Sequence, residues 1–318
     1  MHNTHPSKPC KLITIICPIY NEEAAIPLFY DRIKKVIDSL QNRYQFEILF
    51  TNNASTDRSL SIILALREQD SKVQILTLSR NFGYQASLQA GLSNSPGEAI
   101  FIVDVDCEDP PEMLGDFITK WEEGYDIVYG VRMDRSEFWI IKNLRKLFYR
   151  LLQKIADMDI VLYMAEFSFL SNHVRKQIIN NQNRFPFLRA EIGYTGFQRY
   201  GIPYTRQPRN AGKTHYRFFN ILSFAVTGFL SSSTFPLRLA GYLLLPFFLI
   251  NLLALVFILT SNNNQFFRFL MVFDFLHVTF FITTMSIYLS KIHQNIMARP
   301  VFIINEKLSY LNHKIEKE

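Results

Sequence analysis

The first 130 residues alternate between short apolar runs and longer mixed segments. "KLITII" (11–16) is rich in β-branched residues, is closed by Pro18, and reads as a buried strand. Residues 23–40 then carry apolar positions at helical spacing. "FEILFT" (46–51) is a second strand, and "STDRSLSIILALREQ" (55–69) is a helix with Ser55 or Thr56 as its cap. "VQILTL" (73–78) is a third strand, "YQASLQAGLSN" (84–94) a helix and "EAIFIVD" (98–104) a fourth strand. Pro110 and Pro111 open a helix that runs to about Glu123, and "DIVYG" (126–130) is a fifth strand. Strand and helix alternate with short connections, which predicts an α/β fold with a mostly parallel, doubly wound sheet. In such sheets ligands bind beyond the carboxyl ends of the strands. Polar groups gather there: "PIYNEE" after the first strand, "TNNAS" after the second, "SRNFG" after the third.

The pattern then changes twice. In residues 137–155 apolar positions form one stripe, and Lys142, Arg145, Lys146, Arg150 and Lys154 fill the rest. That is the pattern of an interfacial amphipathic helix, about 137–157, although a helix covering the sheet would show the same stripe. Residues 239–260 carry no charge and are long enough to cross a bilayer; 266–290 are nearly as apolar. The two read as a hairpin joined by "SNNNQ". Lys213, Arg217 and Arg238 flank its entry, and Lys291 and Arg299 its exit. The positive-inside rule therefore places both termini in the cytoplasm and the linker outside. Asp274 and His277 lie within the second span at i and i+3, where they could pair.

Composition sharpens this division. The 318 residues are 48% hydrophobic with a net charge of +6. The cations cluster beside apolar stretches, with no long basic run or zinc-finger spacing, which favours a membrane surface over nucleic acid. Cys10, Cys17 and Cys107 share no metal-ligand spacing and suit a reduced, cytosol-facing domain; the polar N-terminus does not read as a signal peptide. Neither GxGxxG nor GxxxxGK[ST] occurs, which argues against a dinucleotide site or a P-loop.

The densest chemistry is "VDVDCEDPPEML" (103–114). A strand ending in Asp-x-Asp puts Asp104 and Asp106 on one side, where they suit a hard divalent cation such as Mg²⁺ or Mn²⁺. An acidic first turn on the following helix accounts for Glu108, Asp109 and Glu112, but not for Asp104 at the strand end.

"PIYNEE", "NNASTD", "SRNFGYQASLQAG", "VDVDCEDPPEML", "WEEGYDIVYGVR", "RKLFYRLL" and "GFQRYGIPYTRQPRNAGKTHY", followed by two spans, come in a set order. In that order and spacing the chain resembles glycosyltransferase family 2. More narrowly, it is similar to the polyprenyl-phosphate hexosyltransferases, the dolichyl-phosphate mannose synthases and bactoprenol glucosyltransferases. The resemblance implies a GT-A catalytic domain over 1–212, interfacial helices over 213–236, two transmembrane helices over 237–292 and a cytoplasmic tail over 293–318. It implies inverting, metal-dependent transfer of a hexose from a nucleotide-diphosphate sugar, UDP-linked by the bacterial likeness, to a polyprenyl phosphate such as undecaprenyl phosphate. The place would be the cytoplasmic face of the plasma membrane, in contact with its lipids. It further implies a homo-oligomer, with a tetramer among the forms it could take.

Carried over by position, Pro18, Tyr20, Asn21 and Glu22 would line the nucleotide pocket. Asn52 and Asn53 stand where the family usually has acids that read base and ribose. Asp104 and Asp106 would meet metal and diphosphate, with Arg132 near the phosphates and Arg209 and Lys213 at the acceptor phosphate or the donor diphosphate. Glu166, in "AEFS" (165–168), replaces the family's Asp often proposed as base, Ser168 replaces an Arg, and Glu108 replaces a frequent Gln. A phosphate monoester is largely ionised at neutral pH, so its oxygen needs little deprotonation; positioning and charge stabilisation should matter more than a base. Two rival readings differ in kind. A processive polysaccharide synthase needs several spans and a Gln-x-x-Arg-Trp motif, in which neither Trp121 nor Trp139 lies. A degenerate nucleotide-sugar-binding scaffold would explain "NN" and "AEFS" but not the intact acid pair.

Overall fold

The computed structural model describes residues 10–133, 143, 164–181, 187–208, 233–261 and 264–313. The amphipathic segment 137–157, most of 213–236, and Arg209 and Lys213 lie outside these residues.

The strands are β1 (Lys11–Ile19), β2 (Tyr44–Asn52), β3 (Val73–Thr77), β4 (Ala99–Ile102), β5 (Ile127–Arg132), β6 (Met164–Ser171) and β7 (Arg199–Tyr204). The helices are α1 (Ile26–Leu40), α2 (Ser59–Gln69), α3 (Tyr84–Ser93), α4 (Leu114–Glu122), α5 (Asn172–Asn180), α6 (Leu188–Thr195), α7 (Phe235–Ser261) and α8 (Asn264–Ile296). The seven strands form one sheet in the order β3-β2-β1-β4-β6-β5-β7. Only β6 runs antiparallel to its neighbours, β4 and β5. The expected parallel, doubly wound half is therefore present, and the far half is mixed.

The sheet is apolar on both sides because helices cover both. On one face Ile13, Ile15, Phe50 and Phe101 meet Phe29 and Ile33 of α1, Ile63 of α2 and Phe117 of α4. On the other, Ile16, Ile100 and Ile102 meet Leu88 and Leu92 of α3, Val174 and Ile178 of α5 and Ile192 of α6. Gly91 lets α3 approach β1 closely, since a Cβ there would lie 2.7 Å from Ile16 Cγ2. Neither Ser55 nor Thr56 caps α2. Its first N–H groups begin at Ser59, whose N–H donates to Asp57 Oδ1 at 2.9 Å. Ser55 and Thr56 are engaged elsewhere, as the site below shows.

Helices α7 and α8 form the expected hairpin, each longer than the apolar run that predicted it, and each long and apolar enough to cross a membrane. Their apolar side chains face outward: Leu253 is 71% exposed and Leu259 77%. Between the helices Phe247 stacks on His277 at 3.9 Å, and Asn251 Nδ2 donates to Asp274 Oδ1 at 3.2 Å. Asp274 thus binds across the hairpin to the facing helix.

The segment after α8 returns to the sheet. Tyr310 and Ile304 bridge Ile75 and Leu78 in antiparallel fashion, alongside the edge strand β3. Tyr310 N–H donates to Ile75 O at 2.7 Å and Asn305 N–H to Thr77 O at 2.8 Å. Phe302 is buried among Leu49, Leu76, Leu78, Ala86 and Ala90. An edge strand that would otherwise offer bare backbone groups is covered by the chain's own C-terminal segment.

Candidate active site

The carboxyl edge of the sheet is built from loops that bind one another. After β1, Asn21 takes a left-handed backbone with φ +56°. Its N–H donates to Ser55 Oγ at 3.0 Å, and its Oδ1 accepts from Thr56 N–H at 2.8 Å. Glu22 N–H donates to Ser59 Oγ at 2.9 Å, and Glu23 N–H to Asp57 Oδ2 at 3.1 Å. The hydroxyls and the acid of the β2–α2 loop therefore shape the β1–α1 turn. Ala54 and Cys107 also sit at positive φ, so the turns after β1, β2 and β4 each contain a non-glycine residue in this costly region. Such strain gathers where surrounding contacts over-determine a functional loop.

Pro18 is buried in the last turn of β1 and Tyr20 is exposed beside it. Asn52 and Asn53 are almost fully buried. Asn52 Oδ1 accepts Ser55 N–H at 3.0 Å. Asn53 Oδ1 accepts Phe82 N–H at 2.9 Å, while its Nδ2 donates to Asn81 Oδ1 at 3.0 Å. An ionised Asp has no donor for Asn81, which gives a physical reason for an amide at position 53.

The five acids of residues 104–112 divide into two groups. Glu108 pairs with Arg206 and accepts Gln207 N–H on its carbonyl at 2.8 Å. Buried Asp109 receives Arg132 Nη2 at 2.9 Å and the Tyr204 hydroxyl, which in turn accepts Arg132 Nε at 3.0 Å. Glu112 holds Arg32 through two parallel bonds of 2.7 and 2.6 Å, and Arg32 reaches Gln207 Oε1 at 3.1 Å. These three acids fasten the segment after β7, and α1, to the β4–α4 turn. Arg132 therefore spends part of its charge on Asp109. Burial alone would lower its pKa, but Asp109 and Tyr204 outweigh it and raise the value.

Asp104 and Asp106 behave differently. Asp104 Oδ1 accepts the Tyr84 hydroxyl at 2.9 Å, and Asp106 Oδ1 accepts Glu108 N–H at 3.0 Å. Burial, then the nearby Asp106 and Asp109 carboxylates, push Asp104 up to about 7. An oxygen-only donor set whose members repel each other at a sheet edge fits a hard divalent cation, which would relieve that repulsion. Among the described residues no cluster of three metal-ligating side chains occurs, so such an ion would fill its shell with substrate oxygens.

Glu166 lies on β6 and is 8% exposed. Its Oε1 accepts from Gln85 Nε2 at 3.2 Å and Arg189 Nε at 3.1 Å. Adjacent residues in the first turn of α3 thus touch both acidic centres: Tyr84 touches Asp104, and Gln85 touches Glu166. The motif "SRNFGYQ" carried both residues, but helix periodicity alone gives no reason to aim Tyr84 and Gln85 at the acids. The pattern points to neither Tyr204, Arg189 nor Arg206, and it reads Asp109 as an acid of the helix's first turn, although Asp109 precedes α4 and binds Arg132 and Tyr204; the partners of these four lie 23 to 98 positions away in the chain.

The glycosyl transferase family 2 model matches residues 14–187, which hold β1 to β6 and the acid pair. The chain is 37% identical over 230 residues to an uncharacterized glycosyltransferase of Bacillus subtilis (strain 168), covering 72% of this chain and 71% of that one. It is 36% identical over 232 residues to the prophage bactoprenol glucosyl transferase homolog of Escherichia coli (strain K12), covering 73% and 75%. A Synechocystis protein, also an uncharacterized glycosyltransferase, is 29% identical over 303 residues, covering 92% and 95%. With its parallel half-sheet, single antiparallel β6 and acid pair at the end of β4, the chain has the GT-A fold and belongs to glycosyl transferase family 2, as a glycosyltransferase.

Proposed function

We propose that the protein transfers a hexose from a nucleotide-diphosphate sugar, UDP-linked, to a polyprenyl phosphate with inversion at the anomeric carbon. The product would serve cell-surface polysaccharide or lipid modification. The observation that carries this reading is the mutually repelling pair Asp104/Asp106 at the carboxyl edge of a sheet whose chain also holds an outward-apolar hairpin. The name of the Escherichia coli relative supports the lipid acceptor.

Asp104 and Asp106 would hold Mg²⁺ or Mn²⁺, which when bound neutralises charge on a leaving diphosphate. The remaining chemistry falls to the chain's own residues. Pro18, Tyr20, Asn21 and Glu22 form the turn against which the nucleotide lies. Asn52 supports that turn through Ser55, and Asn53 holds the end of β1 through its N–H to Ile19 O while its side chain fixes the Asn81–Phe82 loop. Asp109 and Tyr204 fix Arg132 so that its unengaged Nη1 edge is offered to the phosphates. Arg209 and Lys213, just beyond the fastened segment 204–207, supply cations for the acceptor phosphate. That phosphate arrives largely ionised, so attack on the anomeric carbon depends on alignment more than on proton removal. Glu166, in the place of a base, then has little proton to take.

The C-terminal segment packs on β3, so it shares a side of any membrane with the sheet. Two spans between residue 208 and that segment satisfy this condition, and the cations flanking them in the sequence support a cytoplasmic side. A chain held this way meets a lipid phosphate at headgroup level. The test is a donor panel with purified protein in membranes, undecaprenyl phosphate and Mn²⁺ or Mg²⁺. Lipid-linked hexose that disappears with chelator is the expected result. Binding of nucleotide sugars without turnover across the panel would favour the scaffold and overturn the reading.

A further inference from the structure

Glu166 presents two unlike oxygens. Oε1 accepts from both Gln85 Nε2 and Arg189 Nε. Oε2 is buried and, among the described residues, has no hydrogen-bond partner. A buried carboxylate oxygen without a donor is costly, and native structures rarely keep one without a use. Its surroundings are firmly set. Leu188 N–H donates to Gln85 Oε1 at 3.0 Å, which fixes the Gln85 amide so that its NH₂ faces Glu166. Arg189 supplies charge and a second bond from the first turn of α6. Two elements distant in sequence thus load one oxygen and leave the other as an acceptor.

What could donate to it? The acceptor phosphate is largely dianionic at neutral pH and has no proton to give, and a carboxylate facing it would repel it. The donor's diphosphate likewise carries no hydrogen. Sugar hydroxyls do. Gln85 adjoins Tyr84, whose hydroxyl binds Asp104, so one turn of α3 reaches both Glu166 and the acid pair that would hold the diphosphate.

Resting on the proposed hexosyl transfer, we propose that Glu166 Oε2 accepts a hydrogen bond from a hydroxyl of the donor hexose, with Gln85 and Arg189 as positioning residues. Glu166 then determines sugar specificity.

The experiment measures kcat and KM with UDP-glucose and its monodeoxy analogues, and separately the affinity for UDP. For wild type, one deoxy position should raise KM by about 10- to 100-fold, the range for a hydrogen bond to a charged group. Glu166→Gln, which keeps the shape, should flatten that discrimination to within about threefold by raising KM for UDP-glucose more than it lowers kcat, while the affinity for UDP, which has no hexose, is retained. Gln85→Ala should flatten it partly, and Arg189→Lys should retain more of it than Arg189→Met. A uniform loss of kcat for every donor in Glu166→Gln would overturn the proposal in favour of a proton-transfer role. So would a loss of UDP or Mn²⁺ affinity with the discrimination intact. A wild-type enzyme that uses no nucleotide sugar would instead overturn hexosyl transfer itself, and this inference with it.

Discussion

Within nine residues the β4–α4 turn uses the same functional group for two opposite purposes. Glu108, Asp109 and Glu112 each find a cation from another part of the fold: Arg206, Arg132 and Arg32. Asp104 and Asp106 find hydroxyl and backbone donors and each other's charge. The outer acids are paired with guanidinium groups, whereas burial and neighbouring carboxylates raise the pKa of Asp104. Which acid pairs with an arginine is decided by partners far away in the chain, which sequence spacing does not reveal.

Substitutions should separate the two groups. The largest effect is expected at Asp104→Asn, which should lower turnover by about 1,000-fold or more while leaving thermal stability at neutral pH unchanged or higher. Lipid-linked product from radiolabelled donor reads the first, and unfolding in detergent the second. Parallel losses of both would erase the distinction. Next comes Asp109→Asn. It leaves partly buried Arg132 without its counter-charge, and stability should fall by about 1–3 kcal/mol. Adding Arg132→Met should recover part of this, a pattern visible only in the double variant.

The inner pair also predicts a pH response. Asp104 binds its proton more tightly folded, at about 7, than unfolded near the ordinary carboxylate value of 3.8. Between these values the folded state carries more protons, so the stability of the metal-free protein should decline as pH rises from about 4 to 7. The change should be about 2–4 kcal/mol, the lower figure allowing for solvent screening. Melting temperatures measured in EDTA across that range read the decline. Saturating Mn²⁺ should flatten it, and Asp104→Asn should abolish it. An unchanged slope in the variant would mean that the repulsion lies elsewhere. The smallest effect belongs to Glu112→Gln: its pair with Arg32 is half-exposed, and less than about 1 kcal/mol should be lost.

The parallel half of the fold was legible because its signals are local. β1 to β5 each appear as a short apolar run, and α1, α3 and α4 fall where periodicity put them. The acid pair's place was legible from the strand end, but β4 stops at Ile102, so Asp104 and Asp106 lie in the turn after it and strand alternation does not set their direction. The cap of α2 was misread because Ser55 and Thr56 have the right chemistry for a cap but are drawn to Asn21, 34 and 35 positions away. Strands β6 and β7 do not stand out in the pattern, although "MAEFSFLS" is buried throughout, because a single antiparallel insertion breaks the strand–helix rhythm. The C-terminal residues looked like a tail. "VFIIN" and "LSY" are too short to signal a strand, and only β3, more than 220 positions earlier, gives them a partner.

That last contact changes how the molecule can be divided. The hairpin is inserted between two parts of one folded unit, so the sheet is moored at both ends of the insertion rather than swinging from one linker. A water-soluble version made by stopping the chain before residue 233 would lose Phe302 from beneath α3 and strip the hydrogen bonds from Thr77 and Ile75. A soluble catalytic unit should instead keep 299–313, joined to the sheet by a short flexible link in place of the two long helices.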